Sequence, residues 1–301
     1  MQTLITSLLP LFSLIGCGFV LRRRGFPNEG FWPGAERLNY FLFFPALLFK
    51  SLATAPLDNP ALPHMAMSVG LVLGMGWVML LMIRRLRVWK ANRFGVFTQG
   101  ALRFNTYIGL ATIGSLFGPR GLALVSLLVA LTVPVVNILS VYALTSEKGT
   151  HPGAVALTII KNPLILACVA GVVVNVLGIQ HPTAISDLLG MLAATSLPLG
   201  LLCVGAALQP EELKGETAAL VTSSASRLLL VPGTAFLIGW LLNLPPMEHL
   251  ILAVFFGLPC APTAYVLTRQ LGGDAHLMAG VITLQTLLSA VTLPLLLRLV
   301  G

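Results

Sequence analysis

The sequence predicts an all-α polytopic membrane protein, with ten transmembrane helices in two inverted five-helix repeats. Three observations carry this reading. The 301-residue chain is 56% hydrophobic and only 9% charged, where a soluble domain carries about 25% charged residues; its mean hydropathy is +0.92. Ten apolar stretches of near-spanning length run along it. Pro10, Gly18, Gly25 and Pro45 recur 153 residues later as Pro163, Gly171, Gly178 and Pro198, and a long internal period marks a duplicated architecture.

The ten segments fall at about 3–21, 35–56, 63–83, 95–117, 120–144, 159–179, 184–208, 217–243, 247–271 and 275–300. Strict polar–apolar alternation is absent, which excludes a membrane barrel. Leu14-Ile15-Gly16-Cys17 resembles a lipoprotein cleavage box, but residues 1–10 carry no Lys or Arg. A signal peptide needs a basic n-region, so segment one is expected to be a retained helix. Pro45 and Pro198 are expected to kink or bend segments two and seven, where neighbouring helices re-satisfy the freed carbonyl. The most polar joining stretch runs from Ser146 to Gly153. It divides the chain into an N-terminal repeat, 1–148, a linker, 149–158, and a C-terminal repeat, 159–301. Thr132-Val133-Pro134 and Thr292-Leu293-Pro294 recur at an interval of 160, which implies small insertions after Pro198.

Charge sets the expected orientation. Loops after the odd segments hold Arg22–Arg24, the Arg84–Arg93 cluster, Lys148 with Lys161, Lys214 and Arg269; those after the even segments hold Arg120. The positive-inside rule puts the first set in the cytoplasm and both termini outside, in a multi-pass protein of the inner (plasma) membrane. Five segments per half is an odd number, so the second half is inverted. The net charge of +8 lies in these flanking clusters, so no nucleic-acid partner is expected. The four cysteines sit in apolar segments without metal-ligand spacing; no metal and no cofactor are expected.

Chemistry is expected where helices break at membrane depth, because freed backbone there lines a cavity or is buried in protein. Segment four reads Arg103-Phe104-Asn105-Thr106-Tyr107-Ile108-Gly109; segment nine reads Pro259-Cys260-Ala261-Pro262-Thr263-Ala264-Tyr265. A half-helix N-terminus carries about half a positive charge and favours an anion. The candidate substrate-contacting residues are Arg103, Asn105, Thr106, Tyr107, Cys260, Pro262, Thr263 and Tyr265. Gly109, Pro259 and Pro262 are the candidate helix breakers. Asn105, Thr106 and Thr263 offer neutral donors, and Tyr107 and Tyr265 offer walls. Arg103 either raises the local positive potential or snorkels to the surface. Arg227, deep in segment eight, either meets substrate or pairs with serine hydroxyls or backbone carbonyls. No acidic residue falls mid-segment, so neither a buried carboxylate relay nor a carboxylate-lined sodium site is legible. The sequence has no P-loop, no HExxH and no Gly-x-Ser-x-Gly elbow. An enzyme is therefore not expected.

Three strings resemble the auxin efflux carrier family, which includes bacterial relatives of the plant PIN proteins. They are Leu38 to Phe49 with Asn39-Tyr40 and Phe44-Pro45, Arg103 to Gly109, and Leu258 to Leu267 followed by Gly272-Gly273-Asp274. The resemblance implies crossed broken helices four and nine. It also implies a scaffold of helices one, two, six and seven that often dimerises, a transport domain of the rest, and elevator-like movement. Its substrates are small organic anions, auxin or dicarboxylates such as malate and malonate. Thr263 departs from an Asn common near that position, which leaves the substrate open. The expected function is secondary transport of such an anion across the lipid bilayer. A sodium-coupled carrier resembling the bile-acid symporters is the alternative, followed by a channel or sensor.

Overall fold

The computed structural model describes residues 2–28, 30–55, 60–87, 89–145, 162–179 and 182–300. The linker 149–158, Lys148 and Lys161 lie outside the described residues. In chain order the helices are α1 (Gln2–Arg23), α2 (Phe31–Leu38), α3 (Phe44–Ala53), α4 (Leu62–Arg87), α5 (Ala91–Leu102), α6 (Thr106–Thr145) and α7 (Pro163–Val176). They continue as α8 (Thr183–Ala206), α9 (Thr217–Ala225), α10 (Val231–Leu241), α11 (Pro246–Phe256), α12 (Thr263–Gln270) and α13 (Ala275–Val300). The described residues form no strand. Five helical stretches are long and apolar enough to span a bilayer: Leu62–Arg87, Ala91–Thr145, Thr183–Ala206, Thr217–Leu241 and Ala275–Leu299. Pro163–Val176 and Pro246–Phe256 are shorter apolar helices.

Two π turns, Asn39–Phe43 between α2 and α3 and Ser226–Leu230 between α9 and α10, replace sharp kinks. Each immediately precedes a helix with proline at its second position, Pro45 and Pro232. Proline brings no N–H, and its ring clashes with the carbonyl four residues back. That residue lies in the π turn in both cases, and the wider turn absorbs the clash while the helix continues. Pro198 is carried inside α8. Gly118, at φ 60° and ψ −153°, divides α6 into two helical stretches, at the boundary expected between segments four and five.

The chain forms two compact units that cut across its sequence halves. Unit one comprises Met1–Asn59, Tyr107–Ala130 and Thr158–Ala207; unit two comprises Pro60–Thr106, Leu131–Leu157 and Leu208–Gly301.

In unit one, α1 packs on α8, and α7 on α3. Glycine makes both approaches close. A Cβ at Gly18 would lie 2.0 Å from Leu202 O, and one at Gly171 would lie 2.7 Å from Phe49 O. A shift of 153 residues turns Gly18 into Gly171 and Phe49 into Leu202, so the two contacts exchange partners. The helix ends repeat the exchange. Arg22 Nη1 donates to Ala206 O at 2.5 Å. Asn175 Nδ2, at the position equivalent to Arg22, donates to Leu52 O at 2.8 Å and Ala55 O at 2.7 Å. Contacts that trade partners under one fixed shift are what an approximate two-fold relation produces. The left-handed glycines pair in the same way: Gly25 (φ 72°) with Gly178 (φ 62°), and Gly118 with Gly272 (φ 73°), at intervals of 153 and 154.

In unit two, α5 and α11 are the enclosed helices. Every α5 residue from Phe94 to Leu102 is buried, and Ile251 to Phe255 of α11 have no exposed surface. A helix apolar on all sides belongs in an interior. Both helices end where the chain breaks.

Candidate functional site

Helix α5 stops at Leu102, and Arg103 is extended at φ −80° and ψ 135°; α6 starts at Thr106. Helix α11 stops at Phe256, residues 257–262 are non-helical, and α12 starts at Thr263. Two prolines explain the second break. Pro259 and Pro262 lack donors, and each drives its preceding residue away from helical geometry. The two breaks meet directly: the Asn105 backbone N–H donates to Pro259 O at 2.7 Å.

Backbone groups released by the breaks take side-chain partners from surrounding helices. Arg227 has no exposed surface. Its Nε donates to Leu258 O at 2.5 Å, its Nη1 to Ala101 O at 3.0 Å, and its Nη2 approaches Phe255 O at 3.5 Å. One guanidinium thus caps the C-terminal carbonyls of both α5 and α11, where helix dipoles are negative. Gln285 bridges the same region in the other sense. Its Oε1 accepts from the Cys260 N–H at 2.9 Å and its Nε2 donates to Gly100 O at 3.1 Å. Gln99 Nε2 donates to Thr268 Oγ1 at 2.7 Å.

The expected site residues divide by this geometry. Arg103, Asn105, Thr106, Cys260, Pro262, Thr263 and Tyr265 all belong to unit two. Asn105 and Cys260 have no exposed surface, whereas Arg103, Thr106, Thr263 and Tyr265 are half-buried. Arg103 Nη1 lies 3.4 Å from Gln99 Oε1. The Cys260 thiol points at Gln99 O at 3.5 Å. The Tyr265 ring carries the Arg269 guanidinium 5.7 Å from its centroid. Tyr107 belongs to unit one. Its ring packs on Phe44 at 4.9 Å and against Gly200, where a Cβ would lie 2.6 Å from the ring.

One expected breaker is corrected. Gly109 lies inside α6 and is helical; the break falls earlier, at 103–105. Gly109 has no proline beside it, and its N–H remains available to a helix that has already restarted at Thr106. Pro259 and Pro262 lie in the non-helical stretch, as expected.

Sequence reasoning passed over Gln99 and Gln285; it weighed the serine hydroxyls only as partners of Arg227, whereas Ser223 Oγ lies 3.4 Å from Gln285 Nε2. Their signal was present: an amide in an otherwise apolar spanning segment needs a polar partner. For Arg227, the carbonyl alternative is the one realised.

A family model described as "Membrane transport protein" matches residues 3–154 and again 150–297. An "Uncharacterized transporter" of Methanothermobacter thermautotrophicus (strain Delta H) is 25% identical over 294 residues, covering 96% of each chain. Two consecutive matches to one model agree with the paired glycines and the exchanged contacts. The chain is a multi-pass membrane transporter and belongs to the Membrane transport protein family, that of the auxin efflux carriers.

Proposed function

We propose that the protein is a secondary carrier that moves a small organic anion, auxin-like or a dicarboxylate, by alternating access. The observation that carries this reading is the junction of the two breaks through Asn105 and Pro259. Helices α6 and α12 restart beside that junction, and their N-terminal ends favour negative charge. Half-buried Thr106 and Thr263 stand at these ends, with Arg103 adding positive potential. Ten segments in two inverted repeats, 1–148 and 159–301, account for the contacts exchanged between α1–α8 and α7–α3. By the family resemblance, this reading includes an elevator-like mode and a homodimer formed through scaffold helices one, two, six and seven. This reading includes an inner-membrane location with both termini outside, which the positive-inside pattern supports.

The sodium-coupled alternative is disfavoured by Arg227. Half-helix C-termini and unwound carbonyls are where such carriers hold a cation, and here a guanidinium occupies Leu258 O and Ala101 O. Coupling through the substrate's proton or the membrane potential, at about 2.3 kcal/mol per charge per 100 mV, needs no such site.

The test is a solute screen in proteoliposomes with and without a proton gradient, followed by Asn105→Ala. The variant is expected to keep the wild-type melting curve and lose uptake. Normal uptake by it would remove the junction from the mechanism, and conductance without saturable counterflow would identify a channel.

A further inference from the structure

A cavity within unit two lies on the far side of α5, where Phe97 and Ala101 form part of its wall. It is a cleft of about 400 Å³ at the basic end of α4, walled by Leu86, Arg87, Trp89, Arg93 and Phe97, with Ser226 of the second π turn on its floor. That volume falls in the usual range of small-molecule sites, about 300–1,000 Å³.

Its chemistry is graded from charged to apolar. Residues 84–93 supply Arg84, Arg85, Arg87, Lys90 and Arg93 and no acid. Arg93 pairs with Glu216 and lies 6.0 Å from the Phe97 ring centroid. Trp89 stacks on the same ring at 4.1 Å and 18°, so one wall is a rigid aromatic platform edged by guanidinium. On the floor, the buried Ser226 Oγ has no hydrogen-bond partner among the described residues. From the cleft an apolar lane runs back along α4. Met67, Leu71, Met75, Val78, Met82 and Leu86 are all exposed, and their spacing of three and four keeps them on one helix face. Leu86 belongs to both lane and cleft.

A water-soluble anion would use the basic rim alone and make no use of the lipid-facing lane that runs continuously from it. A zwitterionic lipid would use the lane and gain little from the two arginines of the rim, Arg87 and Arg93. One molecule with a net negative headgroup and acyl chains satisfies both ends. We propose that this cleft holds the phosphodiester headgroup of an anionic phospholipid, with its acyl chains laid along the α4 lane. Basic pockets between membrane helices recognise such headgroups by this arrangement, and tryptophan beside the headgroup level suits its amphipathic ring.

Brominated lipids test this on the full chain. The protein is reconstituted in phosphatidylcholine vesicles containing increasing fractions of brominated phosphatidylglycerol or, separately, brominated phosphatidylcholine. Tryptophan fluorescence reports proximity of the bromine. The phosphatidylglycerol arm is expected to quench at a several-fold lower mole fraction, and Trp89→Phe should remove that component. Each arginine lost should raise the half-quenching fraction about fivefold, in Arg87→Gln alone and further in Arg87→Gln with Arg93→Gln. Arg85→Gln, outside the cleft, should behave as wild type. Arg87→Gln leaves the Arg93–Glu216 pair intact, so it remains informative if the double variant fails to fold. Equal quenching by the two lipids would overturn the proposal. So would full displacement by soluble glycerol phosphate, which would mark a free-anion site.

Discussion

Arg227→Met offers the sharpest test of how the crossing is held together. The methionine fills much of the same volume and carries no donor, so packing changes little and hydrogen bonding changes entirely. Leu258 O and Ala101 O lose their partners at 2.5 and 3.0 Å, and the weaker approach to Phe255 O at 3.5 Å disappears. A buried carbonyl left unsatisfied costs about 1–3 kcal/mol, which gives about 2–6 kcal/mol for the two close bonds. Removing the guanidinium also relieves its own desolvation, so the net falls toward the middle, about 3 kcal/mol. For a unit of this size each kcal/mol moves the melting point by about 2–4 °C. Thermal unfolding of the detergent-purified protein, followed by intrinsic fluorescence, should therefore drop by about 6–12 °C. Arg227→Lys keeps the charge but cannot span three carbonyls from one planar group, and should fall between the two. A methionine variant melting within about 2 °C of wild type would refute the argument that this side chain caps both half-helices.

The remaining predictions use the same logic. Gln285→Leu strands the buried Cys260 N–H and Gly100 carbonyl and should cost about 2–5 kcal/mol. Gln285→Glu keeps the acceptor for Cys260 and should cost less; the two melting curves decide. Gly205→Ala would put a Cβ 1.8 Å from Ile15 O, forcing α1 and α8 apart at about 1–3 kcal/mol. Gly16→Ala on the same helix α1 meets nothing within 4 Å and should be neutral or stabilising by up to about 1 kcal/mol. Similar melting points for these two alanine variants would show that α1 and α8 are not in close backbone contact.

The sequence marked some of these features openly and hid others. Pro259 and Pro262 announce a break because proline withholds a donor wherever it stands. The break at Arg103–Asn105 has no such marker, and Gly109 drew attention four residues too late: glycine permits a break without requiring one. The 153-residue interval was legible at Gly18 and Gly171. That each mark meets the equivalent of the other's partner required coordinates, because exchange is a property of contacts. The later pair Gly118 and Gly272 was lost in sequence among 29 glycines and became visible through positive φ alone. Tyr107 follows Thr106 in the chain but packs on Phe44 in unit one, an assignment that no local pattern encodes.

The distribution of polar partners at the crossing bears on where a solute would bind. A break in a membrane helix releases carbonyls on its C-terminal side and N–H groups on its N-terminal side, and apolar surroundings make both expensive to leave unpaired. Here the carbonyl side is heavily provided for, with Arg227 on Ala101 and Leu258, Gln285 on Gly100, and Asn105 N–H on Pro259. On the donor side the second break shows two arrangements. Cys260 N–H goes to Gln285, while Ala264 and Tyr265 N–H turn back to Ala261 and Pro262 in i→i−3 bonds. One guanidinium and one amide thus occupy the carbonyls of both half-helix ends. The half-helix ends at Thr106 and Thr263 carry the positive side of their dipoles, and this is the property on which the proposed anion site relies.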